Sequence, residues 1–470
     1  MQSYHDGIVT AVKKSPDPRN NIYTVLSKKA VFAKSRTLLE INDRVDIELE
    51  DGVITSERVT GKAPEKDVGA ALKRLVGELE IGKNIRKVVQ HCKGTQYAHA
   101  VSGMADALEK AAAKFMGAYI SGAPIIVRFH HDGDGSSGAV SLHRALSDAS
   151  SRLLDGQRSI SWIMHRGVEY DVDSFYADSL ELKNYESAHA PVILITDFGT
   201  APGSERQIAE TTKSSTLIML DHHPLYTGFP KGRVVYINPW DYGSDTNFTA
   251  GLLTSIFADS ISNVKTEDMK AASLISDFSS FADRSDREAM KNAVILDYLT
   301  NVAGRAESGI AKLTPSYIES VIASREKSDE VFYTASNMMN EMLDLGVKNV
   351  KSYKCSRGIT AFVLEFEALP KSNTGYPLPG RYSSRLQERL ESVNGENTIT
   401  VLYYGSYVTL RLSKSISREV GILKVIDEIV GSSDYVESGG GHNEAASIRV
   451  NRDHTKEIVS MVLRRLGASP

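Results

Sequence analysis

Cysteine is almost absent. Two residues in 470, Cys92 and Cys355, cannot build a disulfide framework or a thiolate zinc site, so two reduced thiols are expected. Long apolar runs are also missing. None reaches the ~18–20 residues of a membrane span, and Met1-Gln2-Ser3-Tyr4-His5-Asp6 has neither the basic nor the apolar region of a secretory signal. These absences point to a cytoplasmic protein with no membrane association. Positive charge is not in excess. A net charge of −4 excludes a broadly basic nucleic-acid coat but not a local basic groove, because carboxylates that hold cations count as acid in the sum. No GxxxxGK[ST] loop occurs, which excludes ATP or GTP hydrolysis of that type. There is no internal repeat and no low-complexity tract.

What is present is enough for two or three domains with a sizeable core: 470 residues, 41% of them hydrophobic. Residues 1–66 read as a small OB-like β-barrel. Gly7–Val12 and Asn21–Leu26 are strand runs, and Val45–Leu49 and Val53–Thr55 flank the hairpin signal Asp51-Gly52. Tyr23 and Phe32 are its candidates for stacking on bases, against a purely structural or partner-docking role. Residues 67–285 read as a helical lead-in and a catalytic domain. Two helices are expected within 68–120, one with the stripe Leu72, Leu75, Val76 and Leu79, the other with Met104, Leu108, Ala112 and Phe115. From 124 onward, strand candidates Ile125–Phe129, Ile160–Met164, Val192–Thr196, Thr216–Leu220 and Val234–Ile237 alternate with helical stretches, the pattern of a parallel, doubly wound α/β sheet. Residues 286–349 read as a helical connector, and 350–470 as a smaller mixed α/β domain.

Polar clusters close several of the apolar runs, and in an open α/β sheet ligands bind at the carboxyl ends of strands. His130-His131-Asp132-Gly133-Asp134-Gly135 follows the first run, and His130, Asp132 and Asp134 would face one side in extended chain. Asp197 ends the third run, Asp221-His222-His223 the fourth, and Asp277 ends Ala271–Ser276. Each alone suits a turn or helix cap. Together, two histidines and four carboxylates can hold two ions about 3.5–4 Å apart with one carboxylate bridging. Imidazole with carboxylate suits manganese best, ahead of magnesium, cobalt or zinc. A further cluster, Ser438-Gly439-Gly440-Gly441-His442-Asn443, is expected to form a loop whose amides nest an anionic oxygen, with a plain flexible hinge as the alternative.

In this order, His-x-Asp-x-Asp at 130–134, Asp197, Asp221-His222-His223, Asp277 and Gly439-Gly440-Gly441-His442 resemble the DHH phosphoesterases, most closely the archaeal RecJ-like nucleases of the Hef-associated type. The resemblance covers about 120–285 as the DHH domain and about 350–466 as the DHH-associated domain. It implies that His130, Asp132 and Asp197 hold one metal ion and that Asp134, Asp197, His222 and Asp277 hold the second. It further implies that His223 contacts the scissile phosphate and that Asp221 orients the histidine pair. Arg411 would bind substrate phosphate with Gly439, Gly440, Gly441 and His442; Arg381 and Arg385 either line the same cleft or are simply solvated helix charges. Asn238-Pro239 and Thr249-Ala250-Gly251 match a loop near the site.

The resulting expectation is a manganese-dependent exonuclease that releases mononucleotides from single-stranded DNA or RNA in replication or repair, with a Hef-like helicase or GINS as candidate protein partners. Two alternatives stand beside it. One is a phosphodiesterase acting on short oligonucleotides or cyclic dinucleotides. The other is a replication or repair scaffold that has lost catalysis.

Overall fold

The computed structural model describes residues 2–225, 229–303, 313–370, 374–441 and 444–468. The chain divides into two compact units. The first runs to Thr300 and includes a return segment ending at Ser328, and the second takes the chain from Asp329 onward.

The first unit opens with strands β1 (Gln2–Lys13), β2 (Ile22–Leu26), β3 (Ala30–Lys34), β4 (Asp43–Glu50) and β5 (Val53–Lys62). β1 pairs with β2 and β4, β2 with β3, and β4 with β5. β3 meets β5 in parallel at Lys34 and Val53. The five pairings therefore close into a ring, compatible with the expected small barrel. Alternate residues such as Val9, Tyr23, Val25, Val45 and Ile47 fill its centre. This overturns one expectation: Tyr23 and Phe32 are 1% and 6% exposed, so neither ring is available to stack on a base.

Three helices follow where two were expected: α1 (Glu65–Gly77), α2 (Ile81–His91) and α3 (Ala98–Ile120). The unforeseen α2 turns Ile81, Ile85 and Val88 inward at helical spacing, and it starts where Glu80 adopts a left-handed φ of 52° with no side-chain cap to announce it.

The chain then alternates: β6 (Ile125–His130), α4 (Gly133–Leu153), β7 (Leu154–Asp155), β8 (Ser161–His165), α5 (Val172–Leu182), β9 (Tyr185–Ser187), β10 (Val192–Thr196), α6 (Glu205–Thr211), β11 (Thr216–Leu220), β12 (Val235–Ile237), α7 (Ala250–Ile261) and α8 (Glu267–Ser276). Five of these strands form the expected all-parallel sheet, in the order β12-β11-β10-β6-β8. Every residue of α7 is buried. Its polar side chains are hydrogen-bonded, Thr254 to Thr196 and Ser255 to Ser141, and α7 lies against α4 and β10 in the core built from Val127, Leu194, Ile218, Leu253 and Phe257. The two short strands leave this pattern for the N-terminal sheet: β9 pairs with β1, and β7 pairs with β3.

Helices α9 (Arg287–Ala303), α10 (Pro315–Ile322) and α11 (Arg325–Asn349) occupy the stretch expected to be helical and fall on both sides of the division between the units. The second unit has a mixed six-stranded sheet. Its strands are β13 (Lys351–Lys354), β14 (Thr360–Glu365), β15 (Thr398–Tyr404), β16 (Tyr407–Leu412), β17 (Val436–Gly441) and β18 (Ala445–Val450), ordered β13-β14-β15-β16-β18-β17. Helices α12 (Pro379–Asn394), α13 (Lys414–Val420), α14 (Ile422–Val430) and α15 (Thr455–Arg465) complete it. Its core joins Val401, Leu410, Ile426, Ile448 and Val462.

Candidate metal centre

Strand register assembles most of the site. Phe129, Thr196 and Leu220 are aligned across β6, β10 and β11, and Leu220 is aligned with Ile237 on β12. The next residue on each strand is polar. One row across the carboxyl edge of the sheet therefore reads His130, Asp197, Asp221 and Asn238. In a buried parallel strand, backbone bonds occupy the interior of the sheet and side chains with metal chemistry can appear only where the strands stop.

The remaining ligand candidates arrive on helices. Asp132 is the N-cap of α4 and accepts the Gly135 N–H at 3.0 Å. Helix α4 begins at Gly133, earlier than the sequence suggested, so Asp134 lies in its first turn and not in extended chain beside His130 and Asp132. Asp134 is 1% exposed. Its carboxylate accepts the N–H groups of Ala250 and Gly251 at the start of α7, both at 2.9 Å, and the Ser273 hydroxyl at 2.5 Å. The glycines serve close approach. A Cβ on Gly135 would lie 2.6 Å from the His130 carbonyl oxygen, and one on Gly251 would lie 2.2 Å from Ser137 Oγ and 2.7 Å from Asp134 Oδ1. Asp277 closes α8 as its C-cap residue.

These side chains converge on Asp197. Its φ of 69° turns the chain sharply after β10, a left-handed conformation that aspartate tolerates better than most residues. Asp197 Oδ1 lies 3.5 Å from His222 Nε2, and Oδ2 lies 3.6 Å from His130 Nδ1. Oδ2 is buried and has no hydrogen-bond partner among the described residues. His130 Nδ1 is 3.1 Å from Asp132, and His222 Nε2 is 3.9 Å from both Asp134 and Asp277. Three overlapping sets each place their donor atoms within 4.8 Å of one another: His130, Asp132, Asp197; Asp134, His222, Asp277; and Asp197, His222, His223. Asp197 and His222 each belong to two sets. Buried carboxylates without enough donors are costly, so an orphaned oxygen at the centre of such sets fits a cation.

Electrostatics point the same way. Burial, then the charges of Asp197 and Asp277, pushes the Asp134 carboxyl well above the usual carboxylate range. Burial alone would push His130 and His222 down, but Asp132 and Asp197 raise the first well above its ordinary value, and Asp197, Asp277 and Asp134 raise the second. The carboxylates thus favour positive charge at both imidazole positions, as they would favour a cation between them.

Asp221 has another part. It is fully buried, accepts the Thr200 hydroxyl at 2.6 Å and the His222 N–H at 2.8 Å, and lies 2.8 Å from His223 Nδ1. Burial pushes this carboxyl up, but His223, His222 and Thr200 outweigh it and bring it down to about 2. His223, in turn, is raised by Asp221 against burial. Nδ1 of His223 is engaged by Asp221, which leaves its other nitrogen on a side chain 43% exposed. His222 directs Nδ1 to the Thr246 carbonyl at 3.0 Å, so Nε2 faces the carboxylates. Asn238 and Trp240 donate to the carbonyls of His223 and His222 at 2.8 and 3.0 Å.

The second unit holds the other sequence candidates. Arg411 on β16 donates from Nε to Ser384 Oγ at 3.0 Å and from Nη2 to the Gly380 carbonyl at 3.5 Å, which brings it to the first turn of α12, the turn that carries Arg381. Arg385 sits one turn on, paired with Glu388 at 2.9 Å. The expected glycine nest is not there. Gly439, Gly440 and Gly441 are part of β17, paired with Ile448, Ser447 and Ala446 of β18. Smallness serves packing at two of them: a Cβ on Gly439 would lie 2.6 Å from Ile426 Cγ2 on α14, and one on Gly441 would lie 2.3 Å from the Ala445 carbonyl oxygen. His442 lies outside the described residues.

Sequence reasoning missed Thr200, Thr246, Ser273 and Asp297. Asp297 accepts the Gly133 N–H at 2.9 Å and the Ser276 hydroxyl at 3.0 Å, bracing the first turn of α4. One signal was there: an acid after the apolar run Val294-Ile295-Leu296 on a helix. Ser273 stands four residues before Asp277, on the same helix face. Thr200 and Thr246 had no comparable mark.

No family model matches the chain. An uncharacterised protein of Methanocaldococcus jannaschii is 20% identical over 481 aligned positions, which take in 87% of this chain and 60% of that protein, so the chain spans less than two thirds of that relative's length. Among solved structures, a DHH domain described as a member of the s1p family of ribosomal proteins superposes with a TM-score of 0.68 at 19% identity, over 85% of this chain and 98% of that one. RecJ from Thermus thermophilus in complex with Mn2+ gives a TM-score of 0.49 at 17% identity, over 76% of this chain and 54% of that one. The fold is that of the DHH-domain proteins, and its His and Asp clusters are of a kind that holds divalent metal.

Proposed function

We propose that the chain is a two-metal phosphodiesterase that removes mononucleotides from an end of single-stranded nucleic acid. The observation that carries this reading is Asp197, whose two oxygens face His130 on one side and His222 on the other while Oδ2 has no donor among the described residues. His130, Asp132 and Asp197 would hold one ion, and Asp134, Asp197, His222 and Asp277 the other, with manganese the best match to the donor set. Divalent ions bound there supply an activated water and neutralise charge on a phosphoryl oxygen. The protein's own contribution is orientation. The Asp134 carboxylate is fixed by three donors, and Asp221 fixes the His223 ring through Nδ1. His223 is then placed to donate to a phosphate oxygen from its exposed edge, the kind of preset donor that favours developing negative charge.

Arg411 and Arg381, together at the start of α12, are proposed to take phosphates of the substrate strand, helped by the amide dipoles of that helix end. Gly439, Gly440, Gly441 and His442 are proposed to contact the same strand, the glycines now as part of an edge strand.

The test is digestion of end-labelled DNA and RNA single strands with manganese, magnesium or cobalt, products being resolved over time. Stepwise release of mononucleotides supports the reading and reports direction and sugar preference together. Preference for a dinucleotide over a long strand would instead make this a small-phosphoester enzyme. Full activity of Asp197→Asn would sink the metal assignment.

A further inference from the structure

Away from the metal centre, Arg158 is half-buried in an unusual setting. Its guanidinium carbon lies 5.6 Å from the centre of the Phe32 ring and 5.7 Å from that of Tyr119. Nη2 donates to the Ala123 carbonyl, but Nε is buried and has no partner among the described residues. No carboxylate among the described residues pairs with it, and the polar side chains nearest it are the hydroxyls of Tyr185 and Tyr119. Burial pushes its pKa down to about 10, against the ordinary preference of a guanidinium to stay charged.

Arg158 borders a cavity of about 20 Å³ where the N-terminal strands meet the parallel-sheet domain. Lys13, Thr24, Gln157 and Ser159 also line it, and no acid does. The Lys13 ammonium reaches Ser159 Oγ at 3.4 Å and lies 5.3 Å from the Tyr185 ring. The wall is therefore rich in donors and brings two cationic side chains together with no acid among its lining residues. A space of this size takes one oxygen-sized group. Neutral water would satisfy a donor without offsetting the charge, whereas an anionic oxygen does both.

We infer that this seam is an accessory anion site in which Arg158 and Lys13 seat one oxygen of a phosphate group, supplied by inorganic phosphate or by a phosphodiester of a bound strand. The site is separate from the metal centre and holds whether or not that centre cleaves nucleic acid. It gives the N-terminal strands a part in substrate contact that their buried Tyr23 and Phe32 cannot provide by stacking.

The experiment uses the full chain with metal chelated, so that binding at the metal centre does not contribute. Thermal unfolding is followed in inorganic phosphate and in chloride of matched ionic strength, and anisotropy is followed with a labelled single strand lacking a terminal phosphate. Phosphate should raise the midpoint more than chloride does. Lys13→Gln and Arg158→Lys should each weaken apparent phosphate affinity by about tenfold, the range of one charged hydrogen bond. Lys13→Gln changes only the rim, so it keeps the test sound if Arg158→Lys folds poorly. If Lys13→Gln also weakens the single strand, the phosphodiester is the source; if it weakens phosphate alone, free phosphate is. Equal midpoints in phosphate and chloride, or wild-type phosphate affinity in Lys13→Gln, would overturn the inference.

Discussion

Asp178→Ala offers a direct test of what holds the first strand of the candidate metal centre in place. Arg128 lies on β6, two residues before His130, and is 3% exposed, while Asp178 on α5 is 1% exposed. The guanidinium meets this carboxylate through Nε at 2.9 and 3.0 Å and through Nη2 at 2.7 Å, with a further bond from Nη2 to the Ser174 carbonyl at 3.1 Å. The Tyr170 hydroxyl completes the network, donating to Asp178 Oδ2 at 2.9 Å. Removing the carboxylate leaves a guanidinium where water does not reach. Breaking a buried pair in this way costs about 3–5 kcal/mol, a large part of the 5–15 kcal/mol typical of a domain. Removing both charges behaves differently. Arg128→Met with Asp178→Leu loses the mutual attraction but leaves no unpaired charge, so at least about 2 kcal/mol of the single-variant loss should return. Some cost remains, because Tyr170 and the Ser174 carbonyl lose a partner. Urea unfolding reads this through the two tryptophans, Trp162 on β8 and Trp240 beside His222, both in the first unit. The midpoint should fall in Asp178→Ala with an unchanged slope. The reasoning fails if that variant unfolds like the wild type, or if the double variant is no more stable than the single one.

Three further outcomes are expected. Manganese at a hundredfold excess over its dissociation constant should stabilise the wild type by about 2.7 kcal/mol in thermal unfolding, and Asp197→Asn should lose most of that gain; an undiminished gain would place the ion elsewhere. Gly251→Ala should push the start of α7 away from Ser137 and Asp134, at a cost of about 1–3 kcal/mol in urea unfolding and with hydrolysis down more than tenfold, whereas wild-type turnover would show that Asp134 does not need this close approach. His165 stacks on Phe198 at 4.0 Å and donates from Nε2 to the Glu169 carbonyl at 2.8 Å, and burial, then the charge of Arg128, pushes its pKa down to about 4. The fold prefers the neutral ring, so its contribution is complete above the ordinary value near 6.5 and is lost as pH falls through about 4. Acidification over that range should cost up to about 3 kcal/mol through this group, and His165→Phe should remove that share from a plot of urea midpoint against pH.

Much of the centre was legible because its residues break a rule. Apolar runs that end in His130, Asp197 or Asp221 put polar groups where a buried strand has no use for them. What was not legible depends on partners distant in sequence. β7 and β9 are two and three residues long and have no periodicity of their own; they exist because β3 and β1 supply an edge. Gly439–Gly441 looked like loop because glycine has no side chain to alternate, and it is the ladder with β18 that makes it a strand. Tyr23 and Phe32 suggest stacking residues because a sequence does not say that one points into a closed ring and the other into the core packed against the ring's outer face. Asp134 reads from sequence as extended chain and is in fact helical, since a glycine-rich stretch hides a helix start that Asp132 caps.

The exchange of β9 into the N-terminal sheet has a consequence for synthesis. Ala11 pairs with Ser187, so the end of β1 waits for a partner made 176 residues later, roughly 9–35 s at ordinary elongation rates. During that interval β1 can close with β2 and β4, but the long strand keeps an uncovered margin of the kind that recruits other chains. Slow or crowded expression should therefore leave this margin of β1 open to other chains until residue 187 emerges.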